Sequence, residues 1–201
     1  MDWDLVPERT ALINVDLQNC FVESLEDPRP LLDRINALSA ACRVAGILVI
    51  HTRHVVRPDG SNLGVLREVE RIRNGLLNDG APSAELHSDL VLDPLDLRLD
   101  KPRFGAFHGT DLELTLRTRG IDTVIVSGIS TIVCCDTTAR EAHARDFRVF
   151  FLRDGTATAA GPEFQNLTLD VLDGLFAQVL SVDEMLAKIT ASTTPTQILE
   201  A

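Results

Sequence analysis

The 201-residue sequence predicts an α/β fold: a three-layer α/β/α sandwich around a mostly parallel, doubly wound, Rossmann-like sheet. Two observations carry that reading. Short runs rich in Val, Ile and Leu alternate with segments of helical periodicity along the whole chain. The runs are nearly continuous in apolar residues, as strands covered on both faces must be. A hydrophobic content of 45% then suffices for one domain with a sizeable core, placed at residues 1–190, with a polar tail at 191–201.

The elements follow in order. Residues 11–15 (ALINV) form a strand interrupted only by Asn14, and residues 28–45 place Leu31, Leu32, Ile35, Leu38 and Cys42 on one helical face before Gly46. Residues 47–50 are the second strand and residues 95–99 a weaker third. Between them lies a polar stretch rich in Gly, Asn, Asp and Pro, read as loop and partial helix. A helix at 111–119, a strand at 123–126, a helix at 132–145 and a strand at 149–152 come next. The pattern closes with a helix at 162–176, a strand at 177–180 and a helix at 183–189. No internal repeat or low-complexity tract interrupts it.

Charge and cysteine usage narrow the function classes. Nineteen basic against 30 acidic side chains give a formal charge of -11, which repels a phosphate backbone or an anionic membrane surface. Neither nucleic acid nor membrane is expected as a partner. The stretch MDWDLVPERT has no basic region leading into an apolar one, and no apolar run approaches the ~20 residues that span a bilayer, so a cytoplasmic location is expected. Cys20, Cys42, Cys134 and Cys135 are too few and too irregular for a disulfide framework. No CxxC supports structural zinc. Cys42 falls at an apolar helical position and reads as core.

Open parallel sheets bind ligands beyond the carboxyl ends of their strands. The first predicted strand runs out at Asp16, the third at Asp100 and Lys101, and the fourth at Gly128 before the turn that carries Cys134. Alone, each has an ordinary reading: Asp16 as a helix cap, Lys101 as a solvated cation, Cys134 as a packed residue. Together on one rim they supply what amide hydrolysis needs. Asp16 can accept the thiol proton and return it to the departing amine, Lys101 can hold Asp16, and backbone N–H groups of the turn from Ser130 to Cys134 can bind the oxyanion. A cysteine in the first turn of a helix is expected to ionise readily, because unpaired N–H groups and the macrodipole favour a thiolate.

The segments ALINVDLQNCF, DKPRFGAFHGTDLELTLRTRGIDTVIVSGIST and STIVCCDTTAREAHARDFRV resemble, in order across nearly the whole chain, the isochorismatase-like cysteine hydrolase superfamily. Its motifs have the form D-x-Q-N-D-F, K-x-R-x-S-A-F and G-x-x-T-x-x-C-V-x-x-T-A-R-x-A. The resemblance implies a catalytic triad of Asp16, Lys101 and Cys134. The T-x-x-C spacing from Thr131 assigns the nucleophile to Cys134 and leaves Cys135, in place of the usual Val, as a packed residue. It also implies a cis peptide between Ile129 and Ser130 that turns the Ser130 N–H, with that of Cys134, toward the oxyanion.

Two departures stand within these motifs: Cys20 replaces the usual Asp and Gly105 the usual Ser. A third bears on metal. Nicotinamidases of the superfamily place a metal-binding Asp and His after the second strand, where this chain has His54 and Val56, so no metal and no cofactor is expected. His51 and His54 read as packing or substrate contact. The phrase TRHVVRPDGSN instead resembles the branch that cleaves ureido, carbamoyl and related linear amides, which includes N-carbamoylsarcosine amidase, ureidoacrylate amidohydrolase and biuret hydrolase. The expectation is an amidohydrolase acting on a small amide through a thioester, with Phe21, His54, Arg57, Phe107 and Thr131 as candidates for lining the pocket. A nicotinamidase-type or isochorismatase-type hydrolase, a silent ligand-binding member and a thiol redox sensor are the alternatives. The resemblance further implies a homodimer or homotetramer.

Overall fold

In the computed structural model, which describes residues 1–193, six parallel strands form one sheet in the order β3-β2-β1-β4-β5-β6. The strands are β1 (Thr10–Val15), β2 (Leu48–His54), β3 (Leu97–Lys101), β4 (Thr123–Ile129), β5 (Arg148–Ala157) and β6 (Gln178–Leu180). The helices are α1 (Asn19–Val22), α2 (Arg29–Val44), α3 (Glu70–Arg73), α4 (Leu112–Thr118), α5 (Asp136–His143), α6 (Pro162–Leu172) and α7 (Val182–Thr193). This is the doubly wound arrangement that the alternating pattern predicts.

Side-chain alternation along each strand decides what each face buries. From β1, Ala11, Ile13 and Val15 join Val124, Val126, Val149 and Phe151 beneath Leu112 and Leu116 of α4, Ala139 and Ala142 of α5 and Leu172 of α6. Leu12 joins Val49, Ile125, Phe150 and Leu152 on the opposite face, against Leu38 and Cys42 of α2 and Val182, Met185 and Ile189 of α7. Cys42 is therefore core, as expected.

Asn14 breaks the apolar run of β1 because it centres a buried polar network. It donates to Ser39 at 3.0 Å, accepts from the Ser127 hydroxyl at 2.6 Å and lies 3.4 Å from His51 Nδ1. His51 Nε2 meets Asp96 at 3.1 Å, and Asp96 takes a two-point bond from Arg43. Each buried polar group is thus answered without solvent.

Several boundaries differ from expectation, among them the ends of β2, β4 and β5, which run on to His54, Ile129 and Ala157 past the expected 50, 126 and 152. The third strand begins at Leu97 rather than 95 because Asp93 to Asp96 close a turn, with the Asp96 N–H donating to the Asp93 carbonyl. The helix expected over 162–176 stops at Leu172, where Asp173 turns extended and Gly174 adopts φ +72°. The helix expected from 132 opens instead with a π-helical turn, Thr131–Cys135. The last helix runs to Thr193, three residues into the segment read as tail, and the remainder of that tail lies outside the described residues.

Candidate active site

The direction of chain progression reverses between β1 and β4, which opens a crevice at their carboxyl ends. Asp16 leaves β1 there with φ +49°, a left-handed conformation that few non-glycine residues adopt and that often marks a functional position. The bend turns its fully buried carboxylate across the end of β2. Thr52 of β2 holds it at both ends: the hydroxyl donates to Asp16 Oδ1 at 2.6 Å and accepts from the Asp16 N–H at 3.1 Å.

Lys101 closes β3, two strands away. Neighbouring strands lie about 4.8 Å apart, so only a long side chain bridges the gap. Its ammonium meets Asp16 Oδ2 at 2.7 Å with both side chains fully buried, and donates to the carbonyls of Arg103 at 2.9 Å and Phe104 at 2.7 Å. Burial is the largest single influence and would lower its pKa, but the Asp16 charge and hydrogen bond, together with the neighbouring Cys134 and Cys135, outweigh it and the net shift is upward, so Lys101 stays an ammonium. The preceding residue, Asp100, faces outward into a two-point bond from Arg53, which fixes which side of β3 looks inward.

Gly128 near the end of β4 admits no side chain, since a Cβ there would collide with the Val15 backbone, and its φ is +115°. The following peptide, Ile129–Ser130, is cis, as the resemblance implies. The π-helical turn then folds Cys134 back under the strand ends, with the Ser130 carbonyl accepting from the N–H groups of Val133 and Cys135 at 3.1 Å each. Cys134 Sγ, the Asp16 carboxylate and the His54 ring come within 4.8 Å of one another. The three chemistries placed on one rim by the sequence therefore meet in one crevice.

The protonation of Cys134 differs from expectation. Burial pushes its thiol well above the ordinary value and the Asp16 charge adds to this, while Lys101 and the Ser130 N–H at the sulfur only partly offset it. The residue is 4% exposed. At rest it is a thiol beside a carboxylate, not the thiolate that a helix N-terminus by itself would favour. Cys135 points away, fully buried, with its sulfur 3.8 Å from the Ser127 carbonyl.

The remaining candidates divide. His54 ends β2 between Asp16 and Lys101, fully buried, its ring edge-on to Phe104 at 5.4 Å. Both of its nitrogens lack a hydrogen-bond partner among the described residues, and burial, then the Lys101 charge, pushes its pKa down to about 4. Thr131 is buried at the π turn with its hydroxyl equally unpartnered. Phe21 is half-buried, packed with Cys20 and Phe104 along a cluster formed by Val56, Leu66, Ile72 and Leu77. Two candidates lie away from the three crevice groups. Phe107 turns into the core, 5.6 Å from the Phe147 ring and beneath the Arg145 guanidinium, because the backbone N–H of Phe107 is tied to Glu141. Arg57 is exposed and bonds within its own turn, to Ser61 and Asn62.

Sequence reasoning missed Thr52 and Gln18. Gln18 accepts from the His54 N–H at 2.7 Å and donates to the carbonyls of His54 and Ala84, so it clamps the end of β2 to the long loop. The signal was the parity of Asp16 and Gln18, which sets both on one side of the chain as it leaves β1. Gly105 also gains a reason: the Glu141 carboxylate fills the space that a side chain there would need.

Fold and crevice together define a doubly wound α/β protein with a buried cysteine, carboxylate and ammonium at its strand ends. The chain belongs to the isochorismatase domain family, whose model matches residues 10–184. It is 32% identical over 201 residues to the ureidoacrylate amidohydrolase RutB of Enterobacter sp. (strain 638), covering 88% of this chain and 87% of that one. The corresponding protein of Klebsiella variicola is 30% identical over 212 residues, 93% of this chain and 89% of its own. Among solved structures, a cysteine hydrolase from Pseudomonas syringae pv. phaseolicola 1448A superposes with a TM-score of 0.88 at 32% identity, covering 95% of this chain and 97% of that one.

Proposed function

We propose that this protein is a cysteine-dependent amidohydrolase that cleaves a C–N bond of a small ureido, carbamoyl or related linear amide. The observation that carries the reading is the convergence of Cys134, Asp16 and Lys101 in one buried crevice. Asp16 removes the Cys134 proton as sulfur attacks the carbonyl carbon, and the N–H groups of Ser130 and Cys134 hold the oxyanion. The protonated Asp16 then donates to the leaving nitrogen as the C–N bond breaks, which leaves a thioester. Water attacks that thioester, Asp16 takes its proton, and the acid departs as the thiol is restored. Lys101 holds Asp16 in place throughout.

His54 and Thr131 are the uncharged hydrogen-bonding groups left without partners in the crevice, and they suit the carbonyl and amide N–H of such a substrate. With Cys134 only 4% exposed, substrate reaches it when the loops over the strand ends move. The two RutB relatives support the ureido branch.

The test is an ammonia-release screen over ureidoacrylate, biuret, N-carbamoyl amino acids, maleamate and nicotinamide. Cys134→Ala should abolish turnover with the fold intact by circular dichroism. Retained turnover in that variant ends the proposal. Activity should also survive metal chelation, whereas loss in EDTA restored by zinc would indicate a nicotinamidase-type enzyme.

A homodimer or homotetramer in the cytoplasm completes the proposal. No described helix is long and apolar enough to cross a membrane, and a reducing compartment keeps all four cysteines as thiols. Recovery of the activity with secreted rather than cytoplasmic contents would exclude that location.

A further inference from the structure

We propose that Asp16, His54 and Cys134 form a binding site for a soft divalent cation of the zinc type, and that its occupancy switches the hydrolase off. The inference rests on the reading of Cys134 as nucleophile for its consequence, but the binding site stands on geometry alone. One carboxylate oxygen, one imidazole nitrogen and one sulfur lie mutually within 4.8 Å. Tetrahedral zinc, with bonds of about 2.0 to 2.3 Å, draws its ligand atoms to roughly 3.3 to 3.8 Å from one another. Side-chain rotations of the order of an ångström would close the set.

The donor types select the ion. Imidazole with thiolate is the pairing that prefers zinc over magnesium or calcium, which take oxygen ligands. His54 supplies the second, independent reason. Buried polar groups are almost always partnered, yet both nitrogens of this fully buried ring are unpartnered among the described residues. Its surroundings are the Phe104 edge, the Pro102 backbone carbonyl outside hydrogen-bonding geometry, the Lys101 and Arg103 charges, and the Asp16 and Cys134 side chains. A lone pair is therefore directed at a crevice with a carboxylate and a sulfur already in it.

Lys101 opposes the cation, and thiol ionisation answers it. On binding, the Cys134 S–H bond breaks, the sulfur–metal bond forms and the proton passes to solvent, so the metal meets two negative ligands beside one ammonium. The metal then occupies the sulfur lone pair that would attack a carbonyl and an oxygen that would accept the proton. Such a site inhibits. It is distinct from a catalytic zinc, which leaves a position open for water.

Cobalt(II) tests the site without any substrate. The metal-free full chain, titrated with cobalt, should develop the near-ultraviolet thiolate-to-cobalt charge-transfer band, and equimolar zinc should erase it. Cys134→Ser and His54→Gln should each lose the band while keeping native circular dichroism, and Cys20→Ala should keep it. Absence of the band in the unaltered chain, or its survival in Cys134→Ser or His54→Gln, overturns the site. In the ammonia assay, zinc should remove at least nine-tenths of the activity and EDTA should restore it. An unchanged rate with bound zinc overturns the switch. Because the cobalt spectrum needs no turnover, failure of the amidohydrolase reading and failure of the metal site are told apart.

Discussion

At the scale of single residues, the carboxylate of Asp16 acts, beside burial, on the charge state of both its neighbours. It pairs with the Lys101 ammonium at 2.7 Å and adds to the burial that raises the pKa of Cys134, so the crevice keeps a neutral thiol until a substrate is present. Asp16→Asn removes the charge that holds the thiol up and leaves the one that pulls it down. The thiolate then becomes the partner of the Lys101 ammonium. The expected result is a Cys134 that reacts faster with iodoacetamide at neutral pH than in the unaltered protein, together with complete loss of amide hydrolysis. Slower alkylation in this variant would mean that Asp16 does not govern the sulfur. Removing Lys101 acts in the other direction, since an unpaired buried carboxylate costs about 3 to 5 kcal/mol.

At the scale of elements, β2 is the strand that ties stability to pH. It buries two imidazoles, His51 and His54, and burial lowers both pKa values. His54 faces Lys101 and Arg103, which lower its pKa further, and Asp16, which raises it. His51 is faced by Asp96, which raises its pKa, and by Arg43 and Arg98, which lower it. For His54 the folded value is about 4 against an ordinary 6.5. Between those values the unfolded chain binds a proton that the folded chain refuses. Stability is therefore complete above about pH 6.5 and declines as pH falls toward 4, by up to about 3 kcal/mol for this residue. Urea unfolding midpoints measured from pH 7.5 to 4.5 should fall accordingly, and His54→Gln should flatten the curve. A midpoint that holds steady over that range in the unaltered protein would contradict the assignment.

At the scale of the whole molecule, α6 carries an apolar face that the monomer leaves open. Phe164, Leu167 and Val171 are 54%, 62% and 38% exposed and share one side of the helix, with Leu175 at 64% just beyond its end. A contiguous stripe of this kind is characteristic of an interaction surface. If a second copy covers it, light scattering should return two or four times the 22.0 kDa of the chain, and Leu167→Glu should reduce that mass to one chain. A single-chain mass for the unaltered protein would place the stripe outside any self-association. The net charge of -11 bears on the same scale, since long-range repulsion between copies makes such an association stronger as salt rises.

Sequence by itself determined the layering and nominated the residues that meet in the crevice. Apolar runs of strand length alternating with helical periodicity leave few ways to bury both faces of a sheet, and strand ends then nominate Asp16, Lys101 and Cys134. What it did not contain is distance. That Lys101 reaches across the end of β2 to Asp16, that Thr52 and Gln18 hold the strand ends, and that Phe107 turns away into the core all follow from contacts between residues far apart in the chain. The state of the sulfur depends on the same contacts. A helix start argues for a thiolate, but burial to 4% exposure beside a carboxylate decides for the thiol, because desolvation is set by everything packed around an atom and not by its neighbours in sequence.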